Sequence, residues 1–168
     1  SVATGITLKL QDRLIVNGTL TFENNASLVQ VNDDAVNTGS IVYKRNTTPV
    51  NRYDYTYWSS PVVGFTLKQL SPFTLFDRYF SYDDGWKVSL SGVDIMKAGH
   101  GYIVRAPQTY SISGNPLPYP ARFEGIPNNG VFNLMLVANK DYLIGNPYPS
   151  AISADQFLED NQAVLQGT

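Results

Sequence analysis

Short alternations of apolar and polar residues dominate the first 31 positions of the chain. The alternation runs over residues 6–10, returns over 20–22 after an Asn17-Gly18 corner, and is followed by an apolar stretch at 28–31. A period of two predicts half-buried β-strands, and Asn-Gly predicts a tight turn between them. Strands this short are typical of hairpins in a sandwich or of successive rungs of a right-handed β-solenoid. We favour the solenoid for residues 1–48.

The stretch from Asn46 to Asn51 (Asn-Thr-Thr-Pro-Val-Asn) is the best candidate for a domain boundary, because the composition changes after it. Aromatic residues crowd the next 35 or so positions, and further apolar strands are predicted at 102–104 and 121–123. Asn128-Asn129-Gly130 predicts a hairpin that joins 121–123 to a strand at 131–136. Residues 49–168 are therefore expected to form an antiparallel β-sandwich-like domain, and the protein is expected to be all-β.

One helix start is convincing, and it lies late in the chain. Ser153 is a suitable N-cap for a short C-terminal helix from Ala154 to about Asp160, and Gln156 stands where a capping box requires it. No closing strand is predicted after this helix. The second domain is therefore expected to be truncated at its C-terminus, which would leave a strand edge open to pairing with another chain.

The charge balance and the scarcity of reactive side chains exclude several functions. The 168 residues include 12 Lys plus Arg against 14 Asp plus Glu, one His and no Cys. This balance argues against a nucleic-acid groove, and the missing Cys and the single His100 exclude thiol catalysis and multi-histidine metal sites. No apolar run is long enough for a membrane span. We therefore expect a protein that is not an enzyme and needs no cofactor.

The aromatic residues are the first candidates for a binding site. Tyr53, Tyr55 and Tyr57 lie at alternate positions and therefore on one face of a strand, with Trp58 next to them and Trp86 in a later strand. One interpretation is a sheet face covered by a loop. The other is a platform on which sugars stack.

The carboxylates suggest two further sites. Asp83 and Asp84 precede Gly85 in a predicted turn, and their oxygens would suit Ca²⁺, although turn chemistry is the favoured explanation of the cluster. Together with Asp77 and Asp94 they could also supply the carboxylate pair of a glycoside hydrolase.

Four segments carry a family resemblance. Residues 55–62 (YTYWSSPV), 97–107 (KAGHGYIVRAP), 125–130 (GIPNNG) and 143–152 (LIGNPYPSAI) resemble, in this order, segments of large secreted surface proteins of the Bacteroidota, especially flavobacteria. The resemblance implies long β-rich stalks, export by the type IX secretion system, and a location outside the cell or on its surface. It implies as partners the other segments of the same long polypeptide or secretion and surface-assembly proteins. It carries no catalytic residue.

Three functions remain open at this point. The first is a non-enzymatic structural or adhesive module of a secreted bacterial surface protein. The second is a carbohydrate-binding module that uses the exposed aromatic residues to bind glycans. The third is a glycoside hydrolase domain.

Overall fold

The computed structural model describes residues 1–165; residues 166–168, at the end of the predicted second domain, lie outside the described part. Strands make up most of its regular structure. The strands are β1 (Thr7–Leu10), β2 (Leu20–Phe22), β3 (Ser27–Gln30), β4 (Ile41–Val50), β5 (Tyr55–Trp58), β6 (Tyr79–Tyr82), β7 (Trp86–Val88), β8 (Tyr102–Arg105) and β9 (Leu117–Gly125). The helices are α1 (Leu67–Leu70) and α2 (Ala154–Asp160), with a 3₁₀ turn at Leu90–Gly92.

The N-terminal strands pair in parallel at nearly constant sequence offsets. β1 pairs with β3 at an offset of 20 residues, and β2 pairs with β4 at an offset of 21. Single bridges extend the same arrangement, with Val2 opposite Phe22 and Ile15 opposite Thr38. Each pass of the chain therefore lies directly beside the next one along the sequence.

Strand β4 connects this parallel ladder to the rest of the molecule. One edge of β4 pairs with β2, and the other pairs in antiparallel fashion with β9, from Ile41 opposite Gly125 to Val50 opposite Leu117. β4 runs through residue 48 as one strand with a register shift between Asn46 and Pro49. A single cluster of buried side chains includes both Phe22 from the ladder and Phe123 from β9.

The second large sheet is antiparallel and has the order β5-β8-β6-β7. Its inner face contributes Tyr79, Tyr102 and Val104 to the core, where they meet Phe65 and Met96. The predicted β-rich, sandwich-like architecture is thus confirmed at this level.

Buried asparagine side chains join segments that are distant in the sequence. Asn37 Nδ2 donates to the Pro127 carbonyl at 3.1 Å. Asn128 Nδ2 donates to the carbonyls of Ser60 at 3.1 Å and Pro147 at 2.9 Å. Since backbone carbonyls buried without a donor are costly, these amides hold irregular segments in place.

The predicted C-terminal helix is confirmed as α2. The Ser153 hydroxyl accepts a hydrogen bond from the Gln156 backbone amide, but the Gln156 side chain donates to Asp160 and does not complete a capping box. A complete box caps α1 instead, between Thr66 and Gln69, and this sequence signal was missed. Within residues 1–165, neither helix has the length and apolar character needed to cross a membrane.

The predicted hairpin at residues 128–130 is wrong, because residues 131–136 do not form a strand. The asparagine side chains bind other parts of the chain instead of closing a two-stranded turn. Asn129 Nδ2 donates to the carbonyls of Asn32 and Ala35 at 2.9 and 3.0 Å. Such contacts with distant segments are invisible in a local turn pattern.

Candidate functional site

Strand register places a row of large side chains across the outer side of the four-stranded sheet. Tyr57 lies opposite Ile103, Ile103 opposite Phe80, and Phe80 opposite Val88. Tyr55 shares the face because it lies two residues from Tyr57 on β5. On the other side of the row, Tyr82 lies opposite Trp86. We call this surface the aromatic face; it comprises Tyr55, Tyr57, Phe80, Tyr82, Trp86, Val88 and Ile103.

The rings of the aromatic face that are most open to solvent come from the two edge strands, β5 and β7. Tyr57 is 62% exposed, Trp86 48% and Tyr55 40%. The Tyr57 and Trp86 rings lie 6.4 Å apart at an interplanar angle of 40°, and Tyr82 meets Trp86 edge to face at 5.1 Å. The rings thus brace one another at tilted angles, and Tyr57 with Trp86 forms the most open pair.

Tyr53 extends this surface beyond the end of β5. Its ring is 57% exposed and lies 5.5 Å from the guanidinium carbon of Arg105. Arg105, opposite Tyr55 in β8, is itself only 7% exposed and donates to the Gln108 side chain. A buried cation beneath an aromatic ring holds that ring in position through a cation–π contact.

Trp58 lies on the opposite side of the sheet from the aromatic face. Its ring contacts Phe123 at 5.9 Å and meets Tyr119 edge to face at 6.5 Å. The structure therefore separates the five aromatic residues predicted from the sequence. Tyr53, Tyr55, Tyr57 and Trp86 lie at the outer surface, and Trp58 lines a cleft elsewhere.

That cleft, which we call the Trp58 cleft, has a volume of about 460 Å³ and is lined by four stretches of chain. They are residues 25–27, 43–45, 57–61 and 146–151, with Phe123 at the base. Arg45 provides a cation there, with its guanidinium carbon 3.8 Å from the centre of the Tyr43 ring. Burial lowers the pKa of Arg45 and raises the pKa of the Tyr43 hydroxyl. Arg45 was missed because its neighbours come from distant parts of the sequence.

Asp83 and Asp84 form the turn between β6 and β7. The Asp83 amide donates to the Gly85 carbonyl at 3.0 Å, and Asp84 adopts a positive φ of 50°. The Asp84 carboxylate lies 3.4 Å from the Lys140 ammonium. Across residues 1–165 no three His, Asp or Glu side chains converge as a metal site of such ligands would require.

The carboxylates considered for hydrolysis are distributed over two places. Asp83 and Asp94 line a second cleft of about 740 Å³ together with His100. Asp77 is bound instead to its neighbour Arg78, at 2.9 Å.

The four segments that carry the family resemblance meet in space. The last of them is central: the Gly145 amide donates to the Gly99 carbonyl at 3.0 Å, and the Ser59 hydroxyl donates to the Asn146 carbonyl at 2.7 Å. Asn128 binds the same segment through Pro147. The four segments therefore pack together, and the last of them also forms one wall of the Trp58 cleft.

A comparison with protein families decides the family. The model of a family described as a domain of unknown function (DUF8693) matches residues 1–168. The chain belongs to this family. No curated protein and no solved structure matches the chain.

Proposed function

We propose that the chain is a non-enzymatic adhesive module that binds a glycan through the aromatic face. The observation that carries the proposal is the exposure of Tyr57 and Trp86 on the outer side of a regular sheet. Soluble proteins rarely leave contiguous apolar side chains open unless a partner covers them.

The chemistry of the face favours a sugar as that partner. Sugars offer C–H faces that lie against aromatic rings and hydroxyl groups at their rims. The exposed side chains of the face are uncharged, since Arg105 on the same side of the sheet is buried, and Tyr55, Tyr57 and Tyr82 add phenolic hydroxyls that can donate and accept hydrogen bonds. Because the strands fix the register of the rings, little side-chain entropy is lost on binding.

The parallel ladder supports a finer proposal for the N-terminal part. Offsets of 20 and 21 residues between paired strands are what successive rungs of a β-solenoid would produce. We accordingly propose that residues 1–48 are solenoid rungs of a stalk that presents the adhesive face.

The cellular setting is proposed from the resemblance. We propose that the module belongs to a protein that the type IX secretion system of the Bacteroidota exports to the cell surface or beyond. The full-length gene product should then carry a C-terminal sorting domain, and its absence would contradict this export route.

The binding proposal is tested with a variant that keeps one tryptophan. In Trp58→Phe, Trp86 alone reports on the aromatic face, and titration with soluble oligosaccharides should shift its emission. Adding Tyr57→Ala should weaken binding about fivefold or more, because loss of one stacked ring removes about 1 to 3 kcal/mol by analogy with base stacking.

The matched control is Phe73→Ala, which removes an exposed ring that makes no contact with the aromatic face rings. This variant should bind as the parent does. Equal loss in both variants, or no emission change with neutral and acidic glycans alike, would refute the proposal. Release of new reducing ends from a bound glycan, abolished by Asp94→Asn, would refute its non-enzymatic part.

A further inference from the structure

The geometry points to a second binding site in the Trp58 cleft, specific for a sugar that carries a carboxylate, such as a hexuronate unit of an acidic polysaccharide. The cleft and the aromatic face are built around different tryptophans, since Trp58 lies on the inner side of the sheet and Trp86 on the outer side, while Tyr57 borders both. A volume of about 460 Å³ falls within the range of small-molecule sites.

Arg45 supplies the affinity for an anion. It is half-buried, and none of the ion pairs found among residues 1–165 includes it. The adjacent Lys44 is paired with Glu23 at 3.0 Å, so that carboxylate is already engaged by another cation. A guanidinium in low dielectric without a carboxylate attracts an anionic ligand strongly, because solvent screens the charge only in part.

The orientation of Arg45 is fixed by the protein itself. Its Nη1 donates to the Lys44 carbonyl at 2.7 Å, and its Nη2 donates to the Ala26 carbonyl at 2.5 Å and to the Tyr43 hydroxyl. A guanidinium has five N–H donors, so these contacts leave two free. A charge held in place in this way can bind a carboxylate without first being ordered.

Trp58 and the polar rim favour a sugar as the carrier of that carboxylate. The half-buried indole offers an apolar surface to the cleft while Phe123 supports it from behind. Uncharged hydrogen-bonding side chains line the remaining walls; these are Asn25, Ser27, Ser59, Asn146 and Ser150. Indole, hydroxyls and a cation together match the C–H face, the hydroxyls and the carboxylate of a hexuronate.

The walls of the cleft are rigid. Asn146 Nδ2 donates to the Ser150 carbonyl at 2.6 Å, and Asn146 Oδ1 accepts from the Tyr148 amide at 2.9 Å, which closes the loop on itself. The Leu28 amide donates to the Pro149 carbonyl at 2.8 Å and fixes this loop to β3. A site with preformed walls loses little entropy when a ligand enters.

The test uses Trp86→Phe, in which Trp58 is the only tryptophan. Titration with trigalacturonate should shift its emission, and the methyl-esterified trisaccharide should bind about tenfold more weakly or worse, since a hydrogen bond to a charged group contributes about 1.5 to 3 kcal/mol. Arg45→Gln should abolish the preference for the acid over the ester. Arg45→Lys, which retains the charge, should keep part of this preference. It is therefore the control for a loss of binding caused only by unfolding.

The outcome is independent of the aromatic face, because Tyr82→Ala, which alters that face at a residue outside the cleft lining, should leave the Trp58 response to trigalacturonate within about twofold. Equal affinity for acid and ester, or an unchanged preference in a folded Arg45→Gln, would overturn the inference. So would equally tight binding of a short peptide through its C-terminal carboxylate, because the site would then not be specific for a sugar.

Discussion

Removal of the Tyr79 hydroxyl should destabilise the core in a manner that depends on pH. Tyr79 is fully buried on the inner face of the four-stranded sheet. Its hydroxyl donates to the Ser71 carbonyl at 2.6 Å and lies 3.2 Å from the Thr74 carbonyl. Tyr79→Phe leaves these carbonyls without their phenolic donor, so we expect the free energy of unfolding at pH 7 to fall by about 2 kcal/mol.

The pH dependence follows from the buried phenol. Burial raises the pKa of Tyr79 to about 12, whereas an unfolded tyrosine ionises near 10. The folded state therefore keeps a proton that the unfolded state releases, so this stabilisation is complete below pH 10 and is lost as pH rises towards 12. Because of this difference in pKa, ionisation of Tyr79 lowers the free energy of unfolding of the wild type by about 1.4 kcal/mol at pH 11. The variant has no phenol at this position and therefore loses nothing there.

The difference in free energy of unfolding between the wild type and Tyr79→Phe should therefore narrow from about 2 kcal/mol at pH 7 to about 0.6 kcal/mol at pH 11. Urea unfolding followed by tryptophan fluorescence at pH 7, 9, 10 and 11 measures it. Phe65→Leu is the matched control, because it perturbs the same core without adding or removing a titrating group. A gap that stays constant for Tyr79→Phe, or one that narrows equally for Phe65→Leu, would refute the reasoning.

Three further substitutions probe contacts that hold the sites together. In Gly145→Ala the new Cβ would lie 2.6 Å from Ser59 Cβ. We therefore expect about 1 to 3 kcal/mol of destabilisation in thermal unfolding and weaker binding of trigalacturonate. Unchanged binding would contradict the proposal that this segment forms a wall of the cleft. Asn128→Ala removes the donor to two buried carbonyls and should cost about 2 kcal/mol in urea unfolding, so a loss under about 0.5 kcal/mol would count against its bridging role. Gly39→Ala forces a side chain onto a φ of 77° with its Cβ 2.0 Å from the Val16 oxygen, so hydrogen exchange should accelerate in the parallel ladder, and unchanged exchange there would contradict this account.

Local patterns were sufficient for the features that depend on neighbouring residues. Alternation along β5 is sufficient to place Tyr55 and Tyr57 on one face, and both are exposed in the structure. Ser153 marked the start of α2 because an N-cap bonds an amide only three residues away. These signals depend on the period of the backbone, which the sequence carries directly.

The sequence pattern grouped Trp58 with Tyr57 in one predicted platform and did not indicate what Trp58 contacts. Its contact with Phe123 joins residues 65 positions apart, and the cleft beside it is closed by residues 146–151. At Asn128 and Asn129 the sequence predicted a hairpin that does not form. Their side chains bind carbonyls of distant segments instead. The preference of a short sequence for a turn contributes less free energy than the cost of leaving buried polar groups without hydrogen-bond partners.

The sequence by itself determined that the chain is β-rich, and its alternating patterns located many of the strands. It also determined which aromatic residues could face solvent together. Only the tertiary structure decided that Trp86 completes an open face with Tyr57, and that Arg45 and Trp58 share a cleft. The physical reason is the separation along the sequence of the residues that determine each feature. A strand's period is a property of adjacent residues, whereas strand order, register and the charge environment of a cleft arise from segments that meet only when the chain folds.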